Sequence, residues 1–306
     1  MVRLDAALAF SALGLGGVLA HPTIKHLDTI KHIDRRVCNL EERNPLVHKP
    51  LTSRATIPKA TTWDPPASMV TGLDQQTMKE NPDGLKDLNW ITDQLMVNKG
   101  NINYCIRWAN ERKSTEAARA ATVKALQRSW QKWFDVLVGY DGFPLTEVKI
   151  NVNGYGVKDK SLLEGSTAGL NIYTDVDSDG VPNCDTRCYR GAHLDGDLSG
   201  CPGGEQNRYD IYLQLDKKLE GQFGGFGYNW GEELGPDYFL DNLETENIHI
   251  LLHEIGHGFG LLDFYDWVPE GQTSFVMMAG SATEITEFDA WMLRDWWRKL
   301  KAVRGW

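Results

Sequence analysis

The chain has 306 residues, 42% hydrophobic and 24% charged, enough for one sizeable core and ordinary for a globular protein. Its net charge of −10 is uneven: residues 1–20 sum to zero and residues 21–59 carry eight Lys/Arg against four Asp/Glu, so residues 60–306 carry −14. So acidic a body argues against nucleic acid as a partner, and beyond residue 20 no apolar run reaches the ~18 residues that span a bilayer.

The first twenty residues, MVRLDAALAFSALGLGGVLA, place Arg3 before an apolar stretch that ends on Val18, Leu19 and Ala20. They read as a secretory signal peptide cleaved before His21, with a short buried helix as the alternative. Residues 21–59 are basic, contain histidine and proline, and lack a sustained apolar period, which suits a propeptide or linker. Arg35–Arg36 is a plausible processing point, and an ordered N-terminal arm is the competing reading. Residues 60–306 then form the main domain.

Within it, NYCIRWA (103–109) alternates like a half-buried strand, and residues 114–138 show a helical period opened by Ser114 with Glu116 behind it. Residues 147–155 and 208–216 are further strands, and the glycine-rich stretch 217–235 reads as loop. Residues 245–258 and 286–303 read as helices. Trp130 and Trp133 on the long helix and Trp291, Trp296 and Trp297 on the last one fall on amphipathic faces, so core packing accounts for them better than stacking on sugars.

Secretion puts Cys38, Cys105, Cys184, Cys188 and Cys201 in an oxidising setting, where an odd count leaves one over. If that one is Cys38, the other four allow three pairings. Cys38 either caps a metal as a thiolate and keeps a precursor latent, pairs elsewhere, or leaves with the leader. DVDSDG (175–180) spaces Asp175, Asp177 and Asp179 as calcium loops do, but Thr186 stands where an EF-hand needs glutamate. A looser Ca2+ loop, with Asp195 and Asp197 adding ligands, competes with an ordinary acidic turn. No N-x-Ser/Thr sequon occurs.

HEIGHGFGLLD, residues 253–263, carries the strongest signal. Positions i and i+4 share a helix face, so His253 and His257 can aim their imidazoles at one ion. Glu254 is rotated about 100° from His253, which suits a base that touches the ion's water and not the ion. Two satisfied core histidines are the bland alternative. Gly260 can take the left-handed conformation that ends a helix, and that reversal returns Asp263 as a third ligand. Three protein ligands and a water are the open coordination of a catalytic Zn2+, whose water is acidified toward about 7. His249 lies roughly 12 Å along the axis from His257, while two nitrogens on one zinc are at most about 4.2 Å apart. It is therefore a core or supporting histidine.

The pattern HExxHxxGxxD, here His253, Glu254, His257, Gly260 and Asp263, resembles the metzincin zinc endopeptidases, and its aspartate form is similar to snapalysin-type secreted proteases. The resemblance implies an α+β fold: a mixed sheet, a long N-terminal helix, the zinc-site helix, a methionine turn and a C-terminal helix. It also implies that Met278 in SFVMMAGS packs beneath the metal, with Met277 in reserve. A thermolysin-like arrangement would instead take the third ligand from Glu284 or Glu287. Hydrolysis of a protein or peptide substrate follows, with Glu254 as general base and Tyr265 as a possible oxyanion stabiliser. Residues 170–300 also resemble secreted microbial proteins labelled cellulose-binding, so a non-catalytic carbohydrate-binding protein that keeps a zinc site is the alternative.

Overall fold

The alternation in NYCIRWA becomes the central strand of the protein. A computed structural model describes residues 57–74, 83–265 and 267–306. The expected signal peptide, Arg35–Arg36, Cys38 and all but the last three residues of the expected propeptide lie outside the described residues. Two short helices, α1 (Val70–Asp74) and α2 (Ile91–Val97), precede β1 (Asn101–Ala109) and the long α3 (Glu116–Leu137). β2 (Lys149–Val157), β3 (Asn171–Tyr173), β4 (Ile211–Asp216), β5 (Gly225–Tyr228) and β6 (Gly231–Leu234) complete a sheet of order β3-β2-β1-β4-β6-β5. All neighbouring pairs are parallel except β5 with β6, so β5 closes one edge in the opposite direction. Three helices follow: α4 (Pro236–Asp241), α5 (His249–Gly258) and α6 (Glu287–Arg304). The mixed sheet with helices agrees with the expected α+β class.

The period of two in β1 sorts its side chains between two cores. Ile102, Tyr104, Ile106 and Trp108 join the large core with Trp130 and Trp133 of α3, Leu251 and Ile255 of α5, and Trp296 and Trp297 of α6. Cys105 points the other way, into a smaller cluster with Cys184, Cys188, Cys201 and Tyr209. Disulfides Cys105–Cys184 and Cys188–Cys201 settle which of the three pairings forms. The five tryptophans expected in the core are all buried there.

Three expectations change. The glycine-rich stretch 217–235 is not all loop: it contains β5 and β6. Thr115, not Ser114, caps α3, accepting from Ala118 N at 3.1 Å, while Ser114 N donates to Leu162 O. The helix expected from residue 245 begins at His249. Arg128 donates to the carbonyls of Leu243 and Thr245, and Lys132 to that of Glu246, so α3 holds those acceptors in a non-helical approach to α5. Among the described residues no helix is long and apolar enough to cross a membrane.

Candidate metal centre

α5 sets His253 and His257 on one face, with their Nε2 atoms 3.1 Å apart. Nδ1 of His253 is 2.7 Å from Val276 O, and Nδ1 of His257 is 2.7 Å from Leu261 O. A carbonyl only accepts, so each Nδ1 carries a proton and donates it, and each Nε2 can present a lone pair.

The helix ends as its glycine requires. Gly260 has φ +97°, its N–H donates to His257 O at 2.8 Å, and Leu261 N–H donates to Gly256 O at 3.2 Å, the two bonds of a Schellman turn. A Cβ at residue 260 would also lie 2.4 Å from the Trp296 ring, so glycine is needed for space as well as conformation. The turn presents the Leu261 carbonyl to His257 and carries the chain back. Asp263 Oδ1 then sits 3.0 Å from His253 Nε2, and Oδ2 3.4 Å from His257 Nε2.

Two imidazole nitrogens and a carboxylate thus converge where only a positive charge between them relieves their repulsion. Ligand atoms about 3.4 Å apart form the edge of a tetrahedron with bonds of about 2.1 Å, so this group could hold a metal ion. With no metal, a proton takes that part. Burial lowers the His253 pKa, but the hydrogen bond to Asp263 and the charges of Asp263 and Glu254 more than reverse it, to about 9. Burial raises that of Asp263, yet the two imidazoles hold it far below the usual carboxylate range.

Glu254 stands beside the triangle, fully buried, with Oε2 3.9 Å from His257 Nε2. Atoms of His253, Glu254 and His257 all lie within 4.8 Å of one another. β5 gives Glu254 its room: a Cβ at Gly225 would come 2.8 Å from its Oε1, and one at Gly227 2.3 Å from its carbonyl oxygen. Across the β5–β6 pair, Gly227 faces Glu232, a second buried glutamate. Trp130 Nε1 donates to the Tyr104 hydroxyl at 2.6 Å, and that hydroxyl donates to the Glu232 carboxyl, whose oxygens lie 3.0 and 3.1 Å away. Burial pushes the Glu232 carboxyl up, the Tyr104 hydrogen bond opposes this and the charge of Glu254 adds to it, to about 8.

The packing role expected of Met278 falls to Met277. Met277 is fully buried and its Sδ would lie 2.3 Å from a Cβ at Gly256, on the helix turn between the two histidines, whereas Met278 is only half-buried. Asp289, at the start of α6, fixes this turn by accepting from Val276 N at 2.9 Å and Met277 N at 3.1 Å. Val276 in turn orients His253, so Asp289 acts on the site at one remove. Thr286 and Asp289 form a capping box, and the spacing T-x-x-D was the signal that could have exposed it.

Glu287 is engaged within its own helix, accepting from Trp291 Nε1 at 3.4 Å, while Asp263 meets both imidazoles. Tyr265 follows in a half-buried bend. His249 opens α5 with Nδ1 on the Tyr238 hydroxyl at 3.0 Å, a supporting position. The DVDSDG segment is a turn closed from within. Asp177 pairs with Arg107, and its Oδ1 accepts from the N–H groups of Asp179 and Val181 at 3.0 Å each. Asp175 and Asp179 stay exposed in a turn that these bonds already close, and Asp195 and Asp197 likewise cap turns, accepting from Asp197 N and Ser199 N.

No protein-family model matches this chain, and no curated protein or solved structure is detectably similar to it.

Proposed function

We propose that the protein is a secreted zinc endopeptidase of metzincin-like architecture, acting on protein or peptide substrates. One observation carries the reading: Nε2 of His253, Nε2 of His257 and the Asp263 carboxylate converge at 3.0–3.4 Å while Glu254 waits outside the triangle. Two neutral imidazoles and one carboxylate suit zinc and leave a coordination position for water. When bound, the ion supplies Lewis acidity that polarises a peptide carbonyl and acidifies a water. Glu254 takes the proton of the attacking water and returns it to the departing amine nitrogen. Its burial against Gly225 and Gly227 limits its motion and keeps bulk water away from it. Tyr265, two residues past Asp263, is the candidate to donate to the carbonyl oxygen as that atom gains charge. The two disulfides support an oxidising compartment and hence secretion.

The test is metal analysis of the purified protein together with a peptide-library digest. Glu254→Gln should keep zinc and lose at least about a hundredfold in turnover. Asp263→Ala should lose zinc and Glu287→Ala should not. Hydrolysis retained in Glu254→Gln, or zinc lost only in Glu287→Ala, overturns the assignment of roles.

A further inference from the structure

Residues 57–63, IPKATTW, form neither helix nor strand, yet the domain grips them along their length. Ile57, Ala60 and Trp63 pack against the main core, and Thr61 O accepts from Asp141 N at 3.0 Å, just past the end of α3. Trp63 stands edge-on to Trp291 of α6 at 5.7 Å, and the Arg298 guanidinium lies 4.1 Å from the centre of the Trp63 ring.

The deepest hold is Arg294 of α6, whose side chain is almost fully buried. Its Nε–H donates to Val136 O of α3 at 3.3 Å and its Nη2–H to Pro58 O at 2.7 Å, while its guanidinium carbon lies 4.7 Å from the centre of the Trp291 ring. Among the described residues, backbone carbonyls and no carboxylate hydrogen-bond this buried charge. Nη1 is buried as well and has no hydrogen-bond partner. Removing Pro58 O would leave the guanidinium with one long hydrogen bond, and a buried cation so poorly solvated is costly. α6 also carries Asp289, so the segment clamps the helix on which the Val276–Met277 turn rests.

We infer that residues 57–63 are a permanent strap of the secreted domain, locked by Arg294, and that the cut releasing the basic leader falls N-terminal to Ile57. A cut after Lys59, the expected end of the leader, would take Pro58 away. Lys59 itself is exposed, so burial does not protect its bond to Ala60. The fixed backbone does: a protease must draw several residues into its own groove, and the bonds to Pro58 O and Thr61 O hold that stretch on the domain.

The experiment reads the amino terminus of the purified secreted protein by intact mass, then exposes the full chain, folded, to a lysine-specific endoprotease. The secreted protein should begin at Ile57 or upstream. Arg294→Met keeps the length of the side chain and removes its donors, and should speed the cut between Lys59 and Ala60 at least about tenfold, because the strap opens more often. If Arg294→Met does not fold, Trp63→Ala, at a half-buried position, should speed the same cut. A secreted protein that begins downstream of Ile57 overturns the inference. So does a Lys59–Ala60 bond cut as fast in wild type as in folded Arg294→Met, or as in Trp63→Ala where that variant stands in. Neither readout uses catalysis, so the peptidase reading stands or falls separately.

Discussion

One buried carboxylate, Asp289, holds together groups that lie far apart in the sequence. It accepts from Val276, Met277 and Thr286 backbone N–H groups, and Val276 then fixes the tautomer of His253. Asp289→Ala should cost about 3 kcal/mol, because it strands several buried donors, and should weaken zinc binding by roughly 10- to 100-fold. Chemical denaturation and a competitive zinc titration measure the two effects. Glu232 offers a pH test. Its carboxyl is raised from the ordinary glutamate value of 4.5 to about 8, so the folded state holds this proton more tightly than the unfolded chain. The stability this confers is complete below pH 4.5 and lost as pH rises to about 8. Glu232→Gln keeps the shape and cannot ionise, so relative to wild type it should gain stability between pH 5 and 9; urea midpoints at the two ends check the sign. Residues of this kind were the hardest to foresee. The histidine pair was legible because a spacing of four has one geometric meaning on a helix, whereas the pairing of Glu232 with Tyr104 depends on strand register that no local pattern encodes.

At the scale of elements, the stretch from α5 to Asp263 was legible because each residue in it obeys a local rule. Gly260 was expected to turn the chain and does so at φ +97°, though the contact with Trp296 that also demands glycine comes from α6, 36 positions on. Gly260→Ala should therefore cost roughly 2 kcal/mol or more and displace Asp263; thermal melts and bound zinc should fall together. β5 and β6 were hidden for a physical reason. Glycine is poor in strands, so GQFGGFGYNWG reads as loop, yet Gly225 and Gly227 are spaced by two because α5 lies directly on that face. Met277 was passed over in favour of its neighbour because adjacent methionines are equivalent in a short motif, and only packing against Gly256 distinguishes them. The start of α5 was misplaced because Arg128 and Lys132, on another helix, claim the carbonyls that a longer helix would have used.

For the whole molecule, composition and charge narrowed the class, and the strand and helix order gave the mixed sheet. The pairing of the cysteines required three dimensions. On the proposed ligand set, which joins a helix to the chain beyond its terminal turn, zinc should stabilise the entire domain: at 100-fold above its Kd the gain is about 2.7 kcal/mol, read as a higher melting temperature that a chelator reverses. The Cys188–Cys201 link closes a loop of 13 residues, and replacing both cysteines by serine should cost about 3 kcal/mol. The Cys105–Cys184 link has a different reach. Cys105 and Tyr104 are consecutive residues of β1 pointing to opposite sides of the sheet, one into the bridge and the other toward Glu232 beneath Glu254. The covalent bond on the one side of the sheet therefore pins the strand against slipping on the other. The position of Glu254 thus carries an imprint of oxidative history: chains assembled in a reducing compartment would bring the imidazoles together through local helix geometry alone, while the support under this carboxylate stayed free to shift.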